Sequence, residues 1–481
     1  MIMHKKVFLL LVWCLIVTAC TSETSDVKYD LVISAGRVMD PESGLDAIRN
    51  IGIRNGKIEN ISEEKLEGDI LIDATGLVVS PGFIDLHVHL FNPKQSKETL
   101  DLVALDGVTS ALELEVGTGD VESWYSERAG GQIVNYGVSI GHIPVRMKVM
   151  GDSGSFVPSG PGGNETASED QIAEMKRLIE KGLDQGGLGV GFGLAYTPAT
   201  TTTEFETMLK VADDRGTSAY IHLGEGMDGL KKALASAAKT GVSLHVVHIN
   251  SSGGPETADY LDAIQQARNQ GMDVTTEAYP YEAGQTSIQS AFFDDWETWD
   301  EDRFTTFQWV ETGERLNRQS FSRYREQGGV VIIHSRTEEM TLAAIENPLT
   351  MIASDGFVED GKGHPRTSGT NAKVLGQYVR EQGIMTLMDA LRRMTIEPAR
   401  RLETYVPAMK TKGRLAIGAD ADITIFDPGT VIDRSTYTEP TLSPEGIPYV
   451  MVNGVPVVEN GKLVPDVLPG QAIRVRNREP G

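Results

Sequence analysis

Short apolar runs alternate with amphipathic stretches along most of this chain. Near its start, Asp30–Met39, Asn50–Arg54, Lys57–Ile61 and Asp69–Asp73 alternate or run apolar between Gly and Asn turns, which predicts short strands. The same texture returns in Ala421–Phe426, Tyr449–Asn453 and Val455–Val458, so the two ends are expected to share one small β domain. Between them lie eight strand-like runs: Phe83–Leu90, Val108–Val116, Tyr136–Ile143, Leu188–Leu194, Ser218–Leu223, Ser243–Ile249, Asp273–Ala278 and Thr350–Ser354. Helical periodicity fills several of the gaps, as in Glu169–Lys181, Thr203–Arg215, Leu230–Lys239 and Ala258–Asn269. This alternation predicts an α/β fold: a (β/α)8 barrel of the TIM type over residues 80–409, with a small β-sandwich domain formed by 29–79 and 410–478. The stretch 285–331 is too long for an ordinary βα loop and carries Trp296, Trp299 and Trp309; it reads as an insertion after the seventh strand.

The first twenty residues depart from this pattern. A basic start with Lys5 and Lys6 leads into the apolar run Val7–Val17 and then Thr18-Ala19-Cys20. The run is short for a membrane span and ends in small residues, as an export signal does. Val-Thr-Ala-Cys resembles a bacterial lipobox. It implies a signal over 1–19, a lipid on Cys20, a polar tether over 20–28, and a protein anchored to a bacterial membrane facing the periplasm. Cys14 and Cys20 are the only cysteines, so the domain beyond them has no thiol to bind metal, attack a substrate or form a disulfide. A net charge of −24 excludes nucleic acid and anionic headgroups as electrostatic partners, leaving the lipid as the link to a membrane.

A barrel of this kind carries its chemistry at the C-terminal ends of its strands. The first ends Leu86-His87-Val88-His89. Residues i and i+2 of a strand share a face, so two imidazoles emerge together, which suits a divalent transition metal. The second strand carries Glu113 and Glu115 on one face, where carboxylates are costly unless paired or metal-bound. The fifth ends at His222, the sixth at His248 and the eighth at Asp355. Four of the nine histidines thus fall in one layer with an aspartate and one or two glutamates, which points to a metal centre.

The pattern of His-x-His on strand one, one histidine on each of strands five and six, and an aspartate on strand eight resembles the amidohydrolase superfamily. Within it, the chain is similar to the D-aminoacylase group, the N-acyl-D-amino-acid deacylases. The segments that carry the likeness are Gly107-Val-Thr-Ser, Gly191-Phe-Gly-Leu-Ala-Tyr-Thr-Pro198, Glu277-Ala-Tyr-Pro-Tyr281, Ser354-Asp-Gly, His364-Pro-Arg366, Met394-Thr-Ile-Glu-Pro-Ala399 and Lys412-Gly-Arg-Leu-Ala-Ile-Gly-Ala-Asp-Ala-Asp422. Pro-Gly-Phe-Ile-Asp and Gly-Ala-Asp-Ala-Asp mark the superfamily; Tyr-Pro-Tyr, and Ser-Asp-Gly followed by His-Pro-Arg, are more specific. The resemblance implies one or two divalent ions, zinc in the first place, and a small carboxylate-bearing amide as substrate. His87, His89, His222, His248 and Asp355 would be ligands, with Asp355 also the general base. Arg366 would grip the substrate's α-carboxylate, and His364, Asn250 and Tyr281 would lie at the substrate. Tyr196 is the candidate for oxyanion or substrate contact.

Two positions depart from the group. Its members commonly bind metal through a cysteine at the end of strand two. Here Glu115, with Glu113 as the alternate, must take that place unless it merely pairs with an arginine such as Arg146. The group also often carries a lysine two residues after the strand-six histidine. Asn250 stands there, which counts against an acidic acyl-amino acid as the preferred substrate. The alternatives on the same scaffold are a cyclic-amide hydrolase of the hydantoinase or dihydroorotase kind, an L-dipeptidase, or a barrel kept only as a surface-anchored binding protein.

Overall fold

A computed structural model describes residues 28–475. The signal segment 1–19, the lipidation site Cys20, the tether up to 27, and residues 476–478 lie outside the described residues.

Eight parallel strands form the barrel: β1 (Phe83–Asp85), β2 (Val108–Thr118), β3 (Asn135–Gly141), β4 (Val190–Gly193), β5 (Ser218–His222), β6 (Ser243–Val246), β7 (Val274–Ala278) and β8 (Thr350–Ile352). Each pairs with the next in chain order. The ring closes past the ends of β1 and β8. Val88 bridges Gly356 in parallel, Asp355 N donates to His87 O at 2.7 Å, and His89 N donates to Gly356 O at 3.0 Å. Helices such as Glu169–Asp184, Thr202–Asp214, Gly226–Thr240 and Thr257–Asn269 cover the outside, the first two starting on side-chain caps from Ser168 and Thr201. Their apolar faces and the outward strand residues form one continuous core.

Four strands stop two or more residues earlier than their apolar pattern predicts. The first is expected to reach Leu90, the third Ile143, the sixth Ile249 and the eighth Ser354; they end at Asp85, at Gly141 where the helix His142–Met150 begins, at Val246 and at Ile352. His248 (φ 32°) and Asp355 (φ 52°) adopt left-handed backbone, which cannot continue a ladder. His87 and Val88 are instead held by single bridges to Glu113 and Gly356. Positive φ at two non-glycine residues of one site is strain that the surrounding structure must hold in place.

The two chain ends supply a nine-stranded mixed sheet. Its longest strand, Lys28–Asp40, bends at a register shift over 33–36, pairs on one side of the bend with Glu67–Asp73, and runs on beside Val78–Pro81. The sheet therefore folds over a core of its own that includes Leu31, Ile53, Ile72, Val79 and Ile425. The insertion between β7 and β8 builds a three-stranded antiparallel sheet (Gly284–Ser287, Phe307–Trp309, Val330–Ile333). Trp299 and Trp309 are buried in its aromatic core, and Trp296 packs against it.

Candidate metal centre

The donor atoms of His87, His89, Glu115 and Asp355 lie within 4.8 Å of one another, and so do those of Glu115, His222 and His248. Glu115 belongs to both groups. Its Oε2 is 2.9 Å from His87 Nε2 and 3.6 Å from His89 Nε2; its Oε1 is 2.8 Å from His222 Nδ1 and 3.7 Å from His248 Nε2. Each oxygen thus faces one pair of imidazoles. Arg146, the alternative partner, is bonded instead to Glu204 at 2.8 Å.

Backbone packing fixes Glu115 in this place. An irregularity in the β2–β3 register between Glu113 and Thr118 swings the end of β2 across the barrel mouth. Gly191 of β4 then passes so close that a Cβ on it would sit 2.0 Å from Glu115 O, so only glycine fits there. Glu113 occupies a different place: its Oε2 is 3.2 Å from His89 Nδ1 and accepts from Leu90 N at 3.0 Å. A carboxylate on the far nitrogen of a ligating histidine fixes its tautomer and makes it more basic.

His87 has the same support from a residue that strand periodicity did not single out. Glu277 on β7 puts Oε1 2.6 Å from His87 Nδ1, while its Oε2 is 3.0 Å from His245 Nε2. His245 in turn is 2.7 Å from Thr275 Oγ1. His245 thus braces Glu277, which braces His87. Burial alone would raise the Glu277 carboxyl, but His87 and His245 bring it down to about 2.

The donor set fits a divalent cation. Glu113, Glu115, Glu277 and Asp355 are all buried, and Arg366 is the permanent cation among their partners. Burial by itself would raise the Glu115 carboxyl, yet His87, His222 and His248 hold it well below the usual range. Asp355 likewise stays ionised because Arg366 and His87 outweigh its burial. Burial, and then His222 beside it, lower His248, which favours the neutral form that ligates metal. Imidazole with carboxylate and no sulfur suits zinc and its first-row neighbours.

Above these donors opens a cavity of ≈ 260 Å³ walled by Phe156, Tyr196, Tyr279, Phe292 and Arg336, with His89, Glu115, His222, His248 and Asp355 at its floor. A larger cleft of ≈ 790 Å³, by Asp184, Arg215 and Tyr405, lies near Thr217 at the strands' N-terminal ends and holds none of these donors. Tyr196 lines the cavity with its ring 4.8 Å from the His222 ring. Its hydroxyl accepts from Thr286 at 3.2 Å, which leaves its own proton to donate, and burial together with the Glu115 charge keeps the phenol protonated.

Other expected substrate contacts are placed differently. Tyr281 is not among the cavity-lining residues, its hydroxyl donating to Asp433 at 3.1 Å; Tyr279, just past the end of β7, takes the wall. Asn250 donates to Tyr279 O at 2.9 Å and so holds the backbone behind that wall. His364 is fully buried: Nε2 bonds Ala283 O at 3.1 Å, and Nδ1 accepts from Arg366 N at 3.1 Å. Neither is among the residues that line the cavity: His364 commits both ring nitrogens to backbone, and Asn250 commits its Nδ2 while its Oδ1 is buried without a partner. Arg366 opens the helix Arg366–Lys373 and is buried, its Cζ 4.4 Å from the Tyr279 ring centroid. Its Nη1 lies 2.8 Å from Asp355 Oδ2, a close charge contact without hydrogen-bond alignment, and all three guanidinium nitrogens lack a hydrogen-bond partner.

Residues 133–458 match the amidohydrolase family. Among curated proteins, N-acyl-D-glutamate deacylase of Alcaligenes xylosoxydans xylosoxydans is 29% identical over 495 residues, covering 93% of this chain and 97% of its own length. D-aminoacylase of the same organism is 27% identical, with coverage of 91% and 96%. Among solved structures, N-acyl-D-glutamate deacylase from Bordetella bronchiseptica, complexed with zinc and a phosphonate mimic of the tetrahedral intermediate, superposes with a TM-score of 0.80. It is 26% identical, with 93% of this chain and 100% of that one covered.

Proposed function

The chain belongs to the amidohydrolase family, and from that premise we propose that it hydrolyses the linear amide of N-acyl-D-amino acids, or of dipeptides whose leaving residue is D, with zinc as the metal. The observation that carries this reading is Glu115 with one oxygen toward each pair of histidines, directly beside Asp355. His87, His89, Glu115 and Asp355 would hold one ion, and Glu115, His222 and His248 a second. A divalent ion held there would lower the pKa of a bound water to about 7 and polarise the scissile carbonyl. Asp355, kept ionised by Arg366, accepts the proton of the attacking water and delivers it to the leaving nitrogen. The Tyr196 phenol donates to the oxygen on which charge develops. Arg366, with its unpartnered nitrogens next to Asp355, receives the α-carboxylate that lies two bonds from that nitrogen.

Zinc-loaded protein assayed against N-acetyl-D-amino acids, their L-enantiomers and hydantoins tests the reading. Turnover of the D series supports it; turnover of hydantoins alone overturns it. Export and a lipid on Cys20 belong to the same proposal and rest on the N-terminal sequence. Radioactive fatty acid should label the natural protein and not a Cys20→Ser variant; an unlabelled natural protein ends that part.

A further inference from the structure

A second recess adjoins the cavity above the metal donors. It is an open groove of ≈ 680 Å³ between the loops that follow β4 and β5 and the part of the insertion around 291–303. Ala195, Gly224, Glu225 and Phe292 line both, so the two spaces share one boundary. The cavity, at ≈ 260 Å³, falls short of the about 300–1,000 Å³ of a usual small-molecule site, and the groove lies within that range.

The barrel ring gives the groove a direction relative to the reaction. β4 stands across the ring from β8. Asp355, past β8, delivers its proton to the leaving nitrogen, so the leaving amino acid lies on that side. The acyl portion then extends away from β8, past Tyr196 and Gly224, toward the groove. Phe292 stands at this boundary 45% exposed, an apolar surface for a chain to cross.

The lining is not that of a hydrocarbon pocket. Its charged residues are Glu225, Asp228, Asp294 and Asp295 against Lys232 and Arg303. Asp294 is bonded to Asn164 and Arg325, and Asp295 accepts from Trp299 Nε1 at 2.9 Å. Glu225 and Asp228, on the β5 side, have no ion-pair partner among the described residues nearer than Lys231, 3.9 Å from Asp228. Thr200 is buried with its hydroxyl unpartnered. A free hydroxyl suits an amide group, and unpaired carboxylates suit a cationic side chain.

Resting on the deacylase reading above, we propose that the groove is an acyl-side subsite for a peptide. The protein then removes a C-terminal D residue from peptides longer than two residues, and prefers a basic residue in the groove. Water adds across the terminal amide: its oxygen ends in the new carboxylate of the shortened peptide, and one proton passes through Asp355 to the amine of the released D-amino acid.

The test compares kcat/KM on N-acetyl-D-alanine, N-acetyl-glycyl-lysyl-D-alanine and N-acetyl-glycyl-glutamyl-D-alanine for the natural protein, Gly224→Leu and Asp228→Lys. A Cβ at position 224 meets nothing nearer than Leu194 Cβ at 3.7 Å, so a side chain fits there and narrows the shared boundary. Gly224→Leu should lower the peptide-to-acetyl ratio about 10- to 100-fold. Asp228→Lys, on the exposed first turn of Gly226–Thr240, should lower the lysyl-to-glutamyl ratio about 3- to 10-fold, and it serves as the test if Gly224→Leu fails to fold. Calorimetric binding of the acyl-side product, N-acetyl-glycyl-lysine, is measured on each zinc-loaded protein. Peptides no better than N-acetyl-D-alanine, or ratios indifferent to both substitutions, overturn the groove and leave deacylation standing. Product binding that weakens in the variants, without turnover of any substrate ending in a D residue, keeps the groove and overturns the reaction.

Discussion

Replacing Glu115 by Gln keeps the shape of the side chain and removes the one charge that both histidine pairs face. Its oxygens stand 2.9 Å from His87 Nε2 and 2.8 Å from His222 Nδ1, and no permanent cation bonds it. A unit charge acting on a cation about 4 Å away through an effective dielectric near 20 is worth ~4 kcal/mol. That corresponds to roughly a thousandfold in affinity for each ion the carboxylate touches. The amide oxygen remains a weak donor, so a loss of about 100- to 1,000-fold in zinc affinity is expected, with turnover falling alongside. Zinc per chain, measured by elemental analysis after dialysis against a weak chelator, reads the effect directly, and circular dichroism reports whether the fold persists. Glu113→Gln is the control, because Glu113 touches His89 Nδ1 and backbone N–H groups rather than both pairs. A carboxylate in that position is worth about 10- to 100-fold, which excess zinc should overcome. Full zinc and full turnover in Glu115→Gln, with an empty Glu113→Gln, would refute the argument and make Glu113 the ligand.

Asp355→Asn should lower kcat by about 100- to 10,000-fold while elemental analysis still finds zinc, since the histidines and Glu115 remain; normal turnover would remove Asp355 from the proton path. Arg366→Met should raise the apparent KM for carboxylate-bearing amides by about 10- to 100-fold, and an unchanged KM would leave the buried guanidinium without a substrate role. Gly191→Ala forces a methyl to within 2.0 Å of Glu115 O, so thermal unfolding should show a loss of about 1–3 kcal/mol together with reduced zinc; an unaltered Tm and zinc content would mean that β2 and β4 can part without cost. Stripping zinc with a chelator should abolish turnover and lower Tm, because a ligand bound only by the native state stabilises it; Tm unmoved by zinc would argue against a resident ion.

The candidate ligand positions are legible because strand periodicity assigns a face and the barrel assigns an end. His87, His89, Glu115, His222, His248 and Asp355 all follow from those two rules, and the structure brings their donor atoms together. What the pattern could not carry is reach between distant segments. Glu277 stands on a barrel strand, but its bond to His87 spans 190 residues of sequence and depends on the barrel closing. The available signal is a carboxylate near the C-terminal end of a barrel strand, two residues before the Tyr-Pro-Tyr segment. Residues past the strand ends obey no strand period, so Asn250, Tyr281 and His364 could be placed near the site without revealing that Asn250 Nδ2 and the His364 ring bond backbone and the Tyr281 hydroxyl bonds Asp433. Arg336 follows a 50-residue-scale insertion whose own sheet aims it back at the barrel, which no local pattern records.

Absence of a thiol has a structural counterpart in how Glu115 is used. A single sulfur is one donor atom, whereas the two oxygens of Glu115 are each committed to a different pair of imidazoles. That division holds only if the carboxylate cannot rotate, and Gly191 pressing on its backbone together with the bulge after Glu113 provides the restraint. It also adds buried negative charge to a site that already contains Glu113, Glu277 and Asp355. Without positive charge between them these groups would repel one another in a medium that screens poorly. The permanent positive charge among their partners is Arg366 on Asp355, and it touches neither Glu115 nor Glu277, which have only imidazoles beside them. Exchanging sulfur for carboxylate at this position therefore moves the site toward harder divalent ions and makes its architecture depend more strongly on holding one.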